Sequence, residues 1–300
     1  MKSQRSLTVG ALLGAVFLAV PTAGFAQGSL TPPGAPAPTM KTLAQIEPRT
    51  PISSLPFAIT TSGSYYVTTN LTGVSGFDGI VISANNVTLD LNGFALKGVP
   101  ATGTGIASLS SITNVTVRNG AVSGGWTYGV YLGGYGSLSQ NLVLEQLSVS
   151  GNSYGIYSAN SVIRNCQSSD NTGDGIHVYA CTVSGCLVQN NGTAGIVLDA
   201  PGCLVVGNRC IGNNYLTNAY AAGIFVNDSN NRIEDNHVNG GISGIVVSAS
   251  YTNNVVVKNT VLGVAGFPFY ILGTQIIGPI INSTAAGVIT NSNPWANFAF

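Results

Sequence analysis

The sequence predicts an all-β fold, a single-stranded right-handed parallel β-helix (β-solenoid) of about eight coils with a short N-terminal capping helix. The first observation behind this is a Gly followed by an alternating apolar strand, at Gly79-Ile-Val-Ile, Gly105-Ile-Ala-Ser, Gly129-Val-Tyr-Leu, Gly155-Ile-Tyr-Ser, Gly175-Ile-His-Val, Gly195-Ile-Val-Leu, Gly223-Ile-Phe-Val and Gly244-Ile-Val-Val. Successive glycines lie 20 to 28 residues apart. That is the length of one coil of three short strands with their corners, whereas helical repeats are longer and richer in Ala, Glu, Lys and Leu. The second observation is a further strand in each coil with period-two alternation, as in Asn86-Val-Thr-Leu-Asp-Leu-Asn92, Asn114-Val-Thr-Val-Arg-Asn119 and Asn254-Val-Val-Val-Lys-Asn259. Its alternate Val and Leu side chains point inward. The third is a set of Asn-rich corners, Ser169-Asp-Asn171, Gln189-Asn-Asn191 and Gly212-Asn-Asn214. Asn tolerates left-handed backbone angles there, and stacked amides would form a ladder. One coil cannot bury its own apolar face. Stacking coils about 4.8 Å apart merges the faces into one core and pairs the backbone groups of every strand.

Along the chain, residues 1–26 read as an export signal, with a basic start at Lys2 and Arg5, an apolar stretch from Leu7 to Val20 and a small-x-small site at Gly24-Phe25-Ala26. The expected destination is periplasm, cell surface or medium. Residues 27–38 are a Pro-rich linker. The β-helix with its caps is expected over 39–300. Its N-terminal cap, 39–56, includes a short helix over Met40 to Glu47 with Thr39 as N-cap and Pro48 beyond its end. Its C-terminal cap, 263–300, would lay Trp295, Phe298 and Phe300 over the last coil, because the open ends of a solenoid expose strand edges that need cover. The apolar run Val261 to Ile280 is long enough to suggest a membrane span, but Pro268, Pro279 and its glycines read as coil, so no span is expected in the mature chain.

The composition narrows the partners. The chain has ten Lys and Arg against ten Asp and Glu and 39 Gly, and its mean hydropathy is +0.34. Such a chain is too apolar and too poor in charge to be disordered, and it lacks the basic footprint that nucleic acid or an anionic lipid surface requires. A neutral or weakly charged partner is expected, and the protein is expected to be a monomer.

The segments Ser62-Gly-Ser-Tyr-Tyr-Val67 and Asn86-Val-Thr-Leu-Asp-Leu-Asn-Gly93, with the Gly-Ile corners, resemble the pectin-lyase-like β-helix proteins. More narrowly, they resemble those built from carbohydrate-binding and sugar-hydrolase (CASH) repeats, over about residues 57 to 262. The resemblance implies the fold and a polysaccharide or cell-surface glycan as partner. The reaction does not follow, since this solenoid serves lyases, hydrolases, epimerases, tailspikes and non-catalytic surface proteins. The paired Asp-Asp and Gly-His-Gly stretches of polygalacturonases and the Asp-Pro-His run of alginate epimerases are absent from this sequence. No catalytic residue is carried over.

Coil alignment stacks Cys166 on Cys186 and Cys181 on Cys203, at a spacing a disulfide can bridge in an oxidising compartment. The alternative is a ladder of small buried thiols. Cys210 is left over, no Cys-x-x-Cys spacing occurs, and neither a metal nor a cofactor is expected.

The second residue after each coil Gly points outward, producing an exterior column of Val81, Ala107, Tyr131, Tyr157, His177, Val197, Phe225 and Val246. Two residues further along lie Tyr179, Asp199 and Asn227; just before the Gly lie Tyr128, Tyr154 and Asp174. Ring faces and short polar groups suit a sugar chain, which makes Tyr131, Tyr157, Tyr154, Tyr128, Asp174 and Phe225 the expected substrate-binding residues. Equally, Tyr favours strands with no ligand at all. If the protein is an enzyme, the expected catalytic group is His177 as base, a neighbouring Tyr such as Tyr179 as acid and Asp199 as orienter or metal ligand, in a lyase or epimerase. A paired-carboxylate hydrolase is disfavoured, because strand geometry separates the Cα atoms of Asp174 and Asp199 by about 16 Å. Asp90 is expected to face solvent. The leading expectation is an exported glycan-binding or cell-surface component without catalysis; the others are the lyase or epimerase and a purely structural spacer.

Overall fold

A computed structural model of the protein describes residues 47–214, 222–282 and 291–300. The export signal, the linker and almost all of the expected capping helix lie outside the described residues, as does the loop from Tyr215 to Ala221. The strands wind into a right-handed solenoid with parallel pairing. One face is a 10-stranded sheet that starts at Phe57–Ile59 and ends at Phe269–Ile271. The other two faces form a 20-stranded sheet, made continuous by the long strands Thr113–Ser123 and Gln140–Ser150, which run round the corner between them. Ten strands stacked one per coil exceed the eight Gly-Ile starts. The two missed strands have Pro56 and Pro268 at the corner where the others have Gly, as the pairing of Phe57 with Ile80 and of Ile245 with Phe269 shows.

The core is a column of inward side chains repeated once per coil. On the ten-stranded face it comprises Ile80, Ile106, Val130, Ile156, Ile176, Ile196, Ile224 and Ile245, all buried. The coil glycine is a packing requirement rather than a conformational one. A Cβ on Gly175 would come within 2.6 Å of the Asn191 amide nitrogen and 2.8 Å of the Gly195 carbonyl oxygen in the next coil.

The corner amides stack as the sequence suggests. Asn171 Nδ2 donates to Asn191 Oδ1 at 2.9 Å, and Asn191 Nδ2 donates to Asn213 Oδ1 at 2.9 Å. Asp170 and Asn190 beside them hold left-handed angles, with φ of 56° and 52°. A second ladder runs through Asn208, Asn236, Asn259 and Asn297. Each backbone N–H donates to the amide oxygen of the next coil, and each amide nitrogen donates to it as well. A third runs through Asn231, Asn254 and Gln275.

The cysteines explain themselves against these ladders. Cys166 and Cys186 continue the Asn208 column, and Cys181 and Cys203 continue the Asn231 column, where the backbone N–H of Cys186 and of Cys203 meets the first Asn oxygen. Where Asn208 Nδ2 donates to the Val183 carbonyl of the preceding coil, Cys186 Sγ donates to Ile163 O at 3.8 Å and Cys166 Sγ to Leu144 O at 3.6 Å. All five cysteines are free and buried. The disulfides are therefore absent and the thiol-ladder alternative holds. Burial pushes the thiols of Cys203 and Cys210 up to about 12, which removes them as nucleophiles.

Two further expectations are corrected. Asp90 is 7 % exposed and does not face solvent. Its carboxylate accepts from Asn92 N at 2.8 Å and pairs with Arg118 at 3.3 Å, which offsets the cost of burial. The C-terminal segment is not a lid laid over a finished solenoid. Val255 pairs with Ile276, Thr260 pairs with Phe298, and Asn297 extends the Asn ladder, so the described part of 263–300 is more solenoid. Trp295 stays half-exposed, with Lys258 Nζ 4.6 Å from its ring centroid. Among the described residues no helix is long and apolar enough to cross a membrane.

Candidate functional site

Strand register on the ten-stranded face aligns Ala107, Tyr131, Tyr157, His177, Val197, Phe225 and Val246 at one position of successive coils. The rings stack on one another. Tyr131 lies parallel to Tyr157 at 5.4 Å between centroids, Tyr157 covers the His177 imidazole at 4.3 Å, and Tyr128 covers Tyr154 at 5.1 Å. The faces meant for sugars are thus largely used by neighbouring rings, and it is mainly ring edges and hydroxyls that border solvent. Phe225 is buried against Ala194, Val197 and Ala222, so it acts as floor rather than as an exposed contact. Tyr179 is buried too; its hydroxyl lies 2.5 Å from that of Tyr157. Burial, reinforced by that bond, holds the Tyr157 phenol far above its ordinary pKa, and burial raises Tyr179 as well.

His177 sits between two carboxylates. Nδ1 is 3.1 Å from Asp174 Oδ2 and Nε2 is 3.4 Å from Asp199 Oδ2. Asp174 also accepts from the Thr193 hydroxyl and, at 3.1 Å, from the Ala194 N–H; Asp199 accepts from Asn227 Nδ2 at 2.6 Å. Burial works to lower the His177 pKa, but the bonds to Asp174 and then Asp199 outweigh it and raise the value. Burial likewise pushes Asp174 up, yet the donors His177 and Thr193 carry it below its ordinary value, while the bond from His177 lowers Asp199 directly. These directions favour a protonated imidazole held between two carboxylates.

This arrangement alters two expectations. Both ring nitrogens are engaged by carboxylates, so neither is free to take a proton from a substrate in this arrangement. The separation argument against paired carboxylates also fails, because both side chains reach opposite edges of one imidazole. The directions of the carboxyl shifts weigh against that mechanism. A glycosidase acid needs a raised pKa, and both carboxyls here are lowered.

Tyr154, Asp174, His177, Thr193, Val197, Asp199, Phe225 and Asn227 line a cleft of about 290 Å³ with no Lys or Arg in its wall. A second cavity of about 320 Å³ is lined by Gly134, Tyr135, Gly136, Ser137, Tyr179 and Ala200. Of the expected residues, Asp174, His177, Asp199, Tyr154 and Phe225 share the first cleft, Tyr157 stacks on His177, and Tyr179 lines the second cavity. Tyr128 and Tyr131 belong to the aromatic stack beside them. Sequence reasoning missed Thr193 and Tyr135. Thr193 carries no signal of its own; Tyr135 is marked by its place in the glycine-rich Gly133-Gly-Tyr-Gly136 insertion. Among the described residues there is no cluster of three or more His, Cys, Asp or Glu arranged to hold a metal ion.

A parallel coil with an inward aliphatic column and stacked corner amides defines a right-handed parallel β-solenoid. The chain belongs to the Beta_helix family, the right handed beta helix region, whose pattern matches residues 58–210 and 182–293. No curated protein sequence matches it. Among solved structures it is similar to the A-module of the Azotobacter vinelandii mannuronan C-5 epimerase AlgE6, with 16% identity, TM-score 0.50, 79% of this chain and 85% of that one. It is also similar to the AlgE4 A-module of the same organism, with 15% identity, TM-score 0.47, 74% of this chain and 69% of that one. A third is DFA-IIIase from Arthrobacter chlorophenolicus A6, with 13% identity, TM-score 0.49, 78% of this chain and 65% of that one. At these identities the likeness is one of fold.

Proposed function

We propose that the protein is an exported solenoid that binds a neutral polysaccharide at the His177 cleft and does not cleave or epimerise it. The observation that carries this reading is the double engagement of His177 by Asp174 and Asp199. It fixes two carboxylate acceptors in the cleft and ties up both imidazole nitrogens, so neither is free to act as a base. Carboxylate and amide oxygens that already hold part of their hydrogen bonds, set beside tyrosine edges, suit vicinal hydroxyls. A uronate polymer would meet like charge with no Lys or Arg in the cleft wall to neutralise it. The tyrosines, raised in pKa, do not supply a phenolate base either.

The test is a glycan array on the mature protein, run with Asp199→Asn and His177→Ala variants and an ultraviolet assay for unsaturated uronates. Binding to neutral glycans, lost in both variants and without new absorbance, supports the reading. Absorbance that depends on His177 would overturn it in favour of a lyase, and wild-type silence on every glycan would leave a structural rod.

A further inference from the structure

Resting on that reading, we infer that the site takes a linear oligosaccharide segment laid along the solenoid axis, with Tyr135 as its stacking platform. Tyr128, Tyr131, Tyr154 and Tyr157 spend faces on each other or on His177. Tyr135 is 82 % exposed and makes one T-shaped contact with Tyr179, at 5.9 Å and 68°. A ring this exposed, stacked on no neighbour, keeps a face for a ligand, and an exposed platform of this kind suits the CH face of a pyranose.

Placement supplies the direction. Tyr179, Asp199 and Asn227 occupy one position in successive coils, and Asn227 is bonded to Asp199. Tyr135 reaches this row from an earlier coil through its contact with Tyr179. From Tyr135 to Asn227 the polar row therefore spans about 15 Å at the coil spacing, longer than one sugar ring. Asp199 and Asn227 of this row line the first cleft, and Tyr179 and Tyr135 line the second cavity. The loop that carries Tyr135 is held from below: Ser137 N donates to Gly134 O at 3.0 Å and Asn160 Nδ2 donates to Ser137 O at 3.0 Å. The platform is therefore a shaped element and not a loose tip.

The experiment is isothermal titration of the mature protein with neutral gluco-, manno-, galacto- and fructo-oligosaccharides from disaccharide to hexasaccharide, comparing wild type, Tyr135→Ala, Tyr135→Phe and Asp199→Asn. Wild-type affinity for the recognised series is expected to rise with chain length and then level off. Tyr135→Ala is expected to bind the longest member about tenfold more weakly while binding the disaccharide unchanged, and Tyr135→Phe to retain wild-type affinity. Asp199→Asn is expected to lose binding at every length. If Tyr135→Ala binds all lengths like wild type while Asp199→Asn does not, the platform is refuted and the cleft reading survives. If wild type shows no dependence on length, the axial track is refuted. If wild type binds none of these oligosaccharides, the cleft reading and the platform fall together.

Discussion

Replacing Asp174 by Asn removes one of the two carboxylates that face the His177 imidazole and leaves the other in place. At about 4 Å and an effective dielectric near 20, a carboxylate contributes at most about 4 kcal/mol to holding an imidazolium. Burial of the ring opposes part of that, so the variant should bring the His177 titration midpoint down by about one to three pH units. The side chain of Asp174 is 16% exposed and that of Asp199 31%, so Asp174→Asn should act more strongly than Asp199→Asn. Proton NMR of the imidazole Cε1–H reads this directly, because the chain has two histidines and His237→Asn identifies the second signal. The sign follows from linkage. His177 is raised in the fold, so its stabilisation is complete below the unfolded value of 6.5 and is lost as pH rises through the folded value. Asp174 and Asp199 are lowered, so theirs is present above the unfolded value of 3.8 and is lost as pH falls through their folded values. The triad is intact between those limits. A wild-type midpoint at or below 6.5, or one that Asp174→Asn leaves unmoved, would refute the account of the site.

Asn236→Ala, in the middle of a buried ladder, strands the Asn208 N–H and the Val205 carbonyl. It should cost about 2 to 4 kcal/mol of unfolding free energy in a urea titration, against less than about 0.5 kcal/mol for a surface substitution such as Ser75→Ala. All five cysteines are free and buried, so a disulfide-exchange thiol reagent should find none in the native protein and all five after unfolding without reductant. A lower count in denaturant would mean that a bridge forms in the ladder.

The fold was legible because a solenoid writes its geometry into sequence once per coil. The Gly-Ile starts, the alternating strands and the Asn corners each report a local constraint that the next coil repeats. The end coils escaped because Pro56 and Pro268 replace the marker glycine. The candidate site was half legible. Strand parity identifies the column through Tyr157 and His177, but it says nothing of rotamers. It was rotamers that turned Asp174 toward the ring, stacked the tyrosines face to face and buried Phe225. Cα separation alone therefore misjudged two carboxylates whose side chains converge. The thiols were placed correctly by alignment, yet their role follows from the amides above them, whose bonds they imitate in the same column.

Sulfur rungs have a mechanical consequence. Cys166, Cys186, Cys181 and Cys203 lie in the coils that carry Tyr157, His177 and Asp199, while the amide rungs of Asn208 through Asn297 lie toward the C-terminus. A thiol is a weak donor and its contacts here are 3.2 to 3.8 Å long, against 2.9 to 3.1 Å for the amides. At that corner the rungs beneath the cleft are therefore the weaker ones, while the same coils stay tied at another corner by the Asn171, Asn191 and Asn213 amides.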